Sequence, residues 1–313
     1  MKYGFGVDLG GTTVKIAYFD QTGLLQNKWE IPTDRRDNGK NILPDIAGSI
    51  LAFLKENSIP NADILGVGIG VPGPVDPENV VNRCENLGWG VFNVAEAITR
   101  LTGFPAKAGN DATVAALGEY WKGGGAAYEN MVLVTLGTGV GGGIIINGKP
   151  LYGTTGAAGE IGHIPLKKTD TLPCGCGKFG CAEQYCSATG IARTAKEYLQ
   201  THTGNSLLRD LESPTAKDVF SAARQGDPEA AEILEIVFDD LAMLTATLCN
   251  TLDPQIVIYG GGVSKAGQVL TEGVARHMPK YVFHANAHAK LGLAVLGNDA
   301  GAYGAFKLIL DNL

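Results

Sequence analysis

The 313-residue chain carries 25 Lys+Arg against 32 Asp+Glu, for a formal net charge of −7, with 18% charged and 45% hydrophobic residues. This is the composition of a globular chain long enough for one large or two ordinary cores. The acidic balance argues against a nucleic-acid partner, and no run of 18 apolar residues suggests a membrane span. The opening Met1-Lys2-Tyr3 runs straight to acidic Asp8, which is not signal-peptide chemistry, so the expected compartment is the cytoplasm. Six cysteines in such a setting read as reduced thiols, with Cys84, Cys186 and Cys249 as plain buried ones.

Residues 3–8 form an apolar run that ends at Asp8, followed by Gly10-Gly11-Thr12-Thr13. Val14 to Phe19 alternates again, Asp20-Gln21-Thr22-Gly23 is turn chemistry, and Leu24 to Ile31 reads as a third strand. Ile42, Leu43, Ile46, Ile50, Leu51, Phe53 and Leu54 fall at helical spacing. Leu65 to Val71 is a buried strand stopped by Pro72-Gly73-Pro74. The start of the chain is then echoed. Met131 to Leu136 is a strand, Gly137 to Gly143 a glycine loop, and Ile144-Ile145-Ile146 a second strand closed by Asn147-Gly148. A third loop, Gly260-Gly261-Gly262, follows the strand Ile256 to Tyr259. Helices are expected near 189–201, 216–225, 228–251, 266–278 and 300–311. Two similar meanders point to a duplicated α/β architecture with a cleft between halves. The expected division is 1–109 plus about 298–313, and 110–297.

Glycine lets backbone N–H groups approach an anion closely. Three glycine loops, each after a strand, suit a polyphosphate, and Asp8 stands where it could hold a magnesium ion. Gly137, Gly139 and Gly142 satisfy G-x-G-x-x-G, but that motif must open a helix, and here it runs into strand residues. A Walker A sequence is absent. The phosphate donor is therefore expected to be held by β-hairpin loops.

Asn110-Asp111 precedes the helix-forming stretch Ala112 to Trp121, which puts Asp111 at or near an N-cap. The same carboxylate could accept the proton of a sugar hydroxyl, because phosphoryl transfer asks more for positioning than for basicity. Cys174, Cys176 and Cys181 fall within eight positions, downstream of His163. That is one ligand set for a tetrahedral structural zinc, the alternative being free thiols in a loop. Glu160 and Glu183 flank the set and would be pinned near each other.

Taken together, Asp8-Leu-Gly-Gly-Thr12, Gly70-Val-Pro-Gly-Pro74, Asn86-Leu-Gly-Trp89, Gly109-Asn-Asp111, Leu136-Gly-Thr-Gly139, Glu160-Ile-Gly-His163, Cys174-Gly-Cys176, Gly180-Cys-Ala-Glu183 and Gly260-Gly-Gly262 carry a resemblance. The chain resembles the ROK sugar kinases from Asp8 to about Gly304, and among them the glucokinases of Gram-positive bacteria. The resemblance implies an actin/hexokinase-like, ribonuclease H-like duplicated two-domain fold with an interdomain cleft. It implies ATP-dependent phosphorylation of the glucose 6-hydroxyl, with Asp111 as the base. Asn110, Glu160, His163 and Glu183 would bind the other hydroxyls, and Gly73 and Asn86 would line the sugar pocket. Asp8, Gly10, Gly11, Thr12, Thr13, Lys15, Gly137, Thr138, Gly139, Gly261 and Gly262 would serve ATP and Mg²⁺. His163, Cys174, Cys176 and Cys181 would hold Zn²⁺, His163 using its second nitrogen on the sugar. A homodimer or a dimer of dimers is also implied.

Other sugars (mannose, fructose, N-acetylglucosamine, N-acetylmannosamine) would use the same motifs, and polyphosphate could use the same loops. ROK repressors carry an N-terminal winged helix, for which a first core strand at Tyr3 leaves no room. A non-catalytic sugar sensor would not need both Asp8 and Asp111.

Overall fold

Strand β1 (Tyr3–Leu9) places Phe5, Val7 and Leu9 in the core and ends beside a glycine turn. It pairs antiparallel with β2 (Thr13–Asp20), Asp8 opposite Lys15, and β2 pairs antiparallel with β3 (Leu25–Pro32). This computed structural model describes every residue of the chain except Lys168, Asp170 and Leu313.

A single turn α1 (Arg36–Gly39), left-handed at Asp37 and Asn38, leads to helix α2 (Ile42–Glu56). Helix α2 buries Ile42, Ile46, Ile50 and Leu54 along one face, as the spacing predicts. Then come β4 (Ile64–Val71), the hairpin β5 (Val80–Cys84) and β6 (Trp89–Asn93), helix α3 (Val94–Thr102), β7 (Ala106–Asn110) and helix α4 (Asp111–Lys122). Strands β8 (Met131–Leu136), β9 (Val140–Ile146) and β10 (Lys149–Pro150) follow. Next are helices α5 (Glu183–Cys186), α6 (Ala188–Thr201), α7 (Ala216–Arg224) and α8 (Pro228–Leu252). Strand β11 (Ile256–Gly260), helix α9 (Gln268–His277), β12 (Lys290–Leu293) and helix α10 (Ala300–Leu310) complete the chain.

The first sheet has the order β3-β2-β1-β4-β7 and the second β10-β9-β8-β11-β12. In both, the last three strands of that order run parallel. The duplication expected from the two meanders is therefore present strand for strand. Parallel strands carry ligands at their carboxyl ends. Those ends bring Asp8, Val71-Pro72-Gly73 and Asn110-Asp111 to one edge of the first sheet.

Two compact units divide the chain: Met1–Ala127, Gly143–Gly159 and Leu296–Leu313 in one, Tyr128–Gly142 and Glu160–Val295 in the other. The dividing line is not at 109/110, where the sequence put it: α4 stays with the first unit. The reason is its packing on α10. Helix α10 is rich in small residues, and its backbone approaches the neighbours closely. A Cβ on Gly304 would lie 1.7 Å from the Val114 carbonyl oxygen, and one on Gly118 would lie 2.2 Å from that of Ala300. Gly304→Ala should therefore force the helices apart and cost about 2–3 kcal/mol. Thermal unfolding checks this, and an unchanged melting temperature would contradict such tight packing.

In the second unit Val132, Val134, Leu241, Leu244, Val257 and Ile258 are buried. Helix α8 opens with Asp227 as cap, its carboxylate accepting from the Ala230 N–H, and with Pro228 in the first turn. Among the described residues no helix is long and apolar enough to cross a membrane.

Candidate active site and metal cluster

In the first unit, the loop after β1 is closed by the Gly10 N–H donating to the Thr13 carbonyl at 3.0 Å. Thr33, just past β3, holds it from the other side: its hydroxyl donates to the Gly10 carbonyl at 2.7 Å and its N–H to that of Thr12 at 3.0 Å. Asp8 precedes this loop, its Oδ2 lying 3.3 Å from Lys15 Nζ. Lys15 also donates to the Asn298 carbonyl at 3.3 Å.

Asn110 ends β7 in an extended conformation and caps α4, its side chain accepting from the Thr113 N–H at 3.1 Å. The cap is thus Asn110 and not Asp111, which is the first helical residue. The amide of Asn110 also donates to the Gly73 carbonyl at 3.1 Å and to Asp111 Oδ1 at 3.0 Å. The Ala112 N–H reaches the same Asp111 oxygen at 2.8 Å. One amide side chain therefore links the Pro72-Gly73 turn, the helix start and the carboxylate. The helix N-terminus favours a negative charge on Asp111.

Beneath this turn lies Cys84, which the sequence reading gave as a plain buried thiol without placing it at the site. Cys84 is buried, its thiol donates to the Pro72 carbonyl, and a Cβ on Gly73 would touch its sulfur at 3.5 Å. Burial pushes the Cys84 thiol up, and the charge of Asp111 adds to it. The burial of Cys84 was legible in the sequence, but its contact with the Pro72 carbonyl, 12 positions away, was not. Asn86 sits in the short turn Glu85–Leu87 that follows Cys84.

In the second unit, the loop after β8 is braced by the Gly137 N–H donating to the Gly139 carbonyl at 3.0 Å. The start of α6 grips it too, the Ala188 N–H reaching the Gly137 carbonyl at 2.8 Å and the Thr189 hydroxyl that of Thr138 at 3.0 Å. Glu183 opens α5, and its Oε2 accepts the Val140 N–H at 3.1 Å, against Gly139. Gly261 and Gly262 follow β11, Gly261 being left-handed at φ 77°, and the chain then turns into a short 3-10 helix. This third loop is thus not a hairpin, unlike the first two.

The metal-type residues are assembled by a knuckle. The Cys174 N–H donates to the Lys178 carbonyl at 2.8 Å and the Gly177 N–H to that of Cys174 at 2.9 Å. The returning chain pairs with the segment after His163: the Leu166 N–H reaches Gly180 and the Ala182 N–H reaches Ile164, both at 2.8 Å. The donor atoms of His163, Cys174, Cys176 and Cys181 lie within 4.8 Å of one another. His163 Nδ1 is 3.6 Å from Cys174 Sγ, and Cys176 Sγ is 3.7 Å from Cys181 Sγ. The other ring nitrogen, Nε2, faces Glu160 at 3.8 Å. Burial and then the neighbouring thiols push Cys181 up to about 12. The Lys178 backbone N–H is the main influence lowering Cys176. Three sulfur donors and a ring nitrogen this close together suit a bound cation.

The ROK family model matches residues 4–312. The glucokinase of Halalkalibacterium halodurans is 42% identical over 97% of this chain and 94% of its own length. The glucokinase of Thermotoga maritima is 34% identical, covering 98% of this chain and 97% of its own length. A crystal structure of a ROK family glucokinase from Streptomyces griseus, in complex with glucose and AMPPNP, superposes with a TM-score of 0.78 at 32% identity, covering 98% of both chains. The match to the family model spans both compact units and every segment placed above, and on that ground the chain belongs to the ROK family.

Proposed function

We propose that this protein is an ATP-dependent glucokinase that transfers the γ-phosphate to the 6-hydroxyl of glucose. The observation that carries the reading is the Asn110-Asp111 corner: a carboxylate at the start of α4, held by its neighbour's amide, which also holds the Pro72-Gly73 turn. Support comes from the full-length likeness to glucokinases and to a structure solved with glucose and an ATP analogue.

On this reading Asp111 accepts the proton of the 6-hydroxyl as the oxygen attacks. The transition state is loose, so alignment supplies most of the acceleration. Asn110, Glu160, His163 and Glu183 hold the other hydroxyls, with Gly73 and Asn86 against the ring. Backbone N–H groups of the loops at Gly10 to Thr13 and Gly137 to Gly139 cradle the phosphates, and Gly261 and Gly262 lie near the adenosine. Asp8, at a strand end and paired with Lys15, is the carboxylate for a magnesium ion, which neutralises phosphate charge when bound.

The four-residue cluster fits zinc. Tetrahedral bonds of normal length set sulfurs about 3.8 Å apart and a sulfur and a nitrogen about 3.6 Å apart. Two of the pairs, at 3.7 Å and 3.6 Å, agree, and the whole set lies within 4.8 Å. Four protein donors leave no open position, so the ion is structural. With Nδ1 on the metal side, His163 carries its proton on Nε2, which suits it to donate to a sugar oxygen. The protein is taken to act in the cytoplasm and as a homodimer or dimer of dimers.

The test is incubation with ATP, Mg²⁺ and glucose, with the product read by a dehydrogenase specific for glucose 6-phosphate. Stoichiometric product with ADP supports the reading, and ADP without the 6-phosphate contradicts it.

A further inference from the structure

Glu119 is fully buried in the last turns of α4. Its Oε2 accepts the Gly124 N–H at 2.9 Å, and its Oε1 accepts the Leu296 N–H at 2.8 Å. A Cβ on Gly123 would lie 2.0 Å from Oε2, so a side chain there would displace the carboxylate. These two amides have a particular place in the chain. The first unit ends its first segment at Ala127, three residues past Gly124, and Leu296 is the residue at which the chain re-enters it for the last time. One carboxylate thus fastens two of the chain's crossings to the helix that begins with Asp111.

A helix end needs no buried carboxylate for its own sake. Burying one is costly, and it holds its place here by accepting from two amides 172 positions apart in sequence. We propose that Glu119 is a positioning residue for phosphoryl transfer: it fixes the direction in which both crossings leave the helix that carries Asp111. The inference rests on the glucokinase reading for its activity arm and on geometry alone for its structural arm.

The experiment compares wild type with Glu119→Gln and Glu119→Asp. The carboxamide keeps one acceptor oxygen and turns an NH₂ group toward the other amide. The aspartate keeps both oxygens but withdraws them by one methylene. In Glu119→Gln, hydrogen exchange at Gly124 and Leu296 should rise about tenfold or more while the amides of β1 and β4 keep their protection. The value of kcat should fall about 10–100-fold, the range expected for misplaced reacting groups. Glu119→Asp should fall between the two, and it takes the same measurements if Glu119→Gln does not fold. A lowered melting temperature with kcat per folded molecule unchanged would overturn the proposal, as would unchanged exchange at the two amides. If wild type phosphorylates no sugar, the glucokinase reading fails, and the exchange data still decide whether Glu119 fastens the crossings.

Discussion

Asp111→Asn folds, binds glucose and turns over about a thousandfold more slowly than wild type. The substitution keeps the shape of the side chain and an oxygen at Oδ1. The Asn110 amide and the Ala112 N–H can therefore keep the acceptor they use now, at 3.0 Å and 2.8 Å. Asn110 still caps α4 through Thr113. The stability change should stay below about 1 kcal/mol. What disappears is the capacity to take a proton. General-base removal in a positioned site costs about 10²–10⁴ in kcat, with little effect on substrate affinity. Steady-state kinetics and glucose titration of the same preparation separate the two quantities. A kcat within about threefold of wild type would leave Asp111 as a purely positioning group.

Cys176→Ser should lower both stability and sugar affinity. Serine has no thiolate, so the cluster would keep three donors and would bind the proposed zinc ion far more weakly. Cys176 is the exposed one of the three cysteines, so the substitution itself leaves no cavity. Its effect therefore reports the loss of the ion. The knuckle from Cys174 to Cys181 and the pairing of Gly180 to Ala182 with Ile164 to Leu166 would lose their common anchor. We expect a loss of about 3 kcal/mol, which for units of this size is about 10 °C in Tm. Glucose affinity should fall at least about tenfold, because His163 and the adjoining Glu160 lose their fixed direction. Metal analysis, thermal unfolding and glucose titration are read together. Unchanged glucose affinity with the zinc gone would refute the claim that the ion orients these residues.

The sheets were legible because β1, β4, β8 and β11 are near-continuous apolar runs, as buried parallel strands should be. The helices from α6 to α10 lie within about two residues of where the sequence reading put them. Other elements gave no such signal. Strand β7 is Ala-Lys-Ala-Gly-Asn, five residues with neither alternation nor a β-branched side chain, and it exists because β4 offers it a ladder. Strand β12 is likewise held on β11 by pairing, and only four residues long. The hairpin β5–β6 and helix α3 were missed because they are short, with strands of five residues each and a helix of nine. At the site, residue types named the chemistry, but contacts between distant segments could not be read. Asn110 to Gly73, Thr33 to Gly10, Cys84 to Pro72 and Glu119 to Leu296 all join segments that only the folded chain brings together. The unit boundary was misplaced for the same reason. The glycines that hold α10 against α4 are more than 180 positions apart in sequence, Gly118 and Gly304 among them.

The most direct measurement is kcat/KM for ATP·Mg²⁺-dependent ADP release with glucose, mannose, fructose, N-acetylglucosamine and N-acetylmannosamine. The account predicts a clear preference for glucose, by about tenfold or more over every other sugar, the discrimination that a few lost hydrogen bonds supply. A preference for an N-acetylated sugar, or no turnover with any of the five, would contradict it.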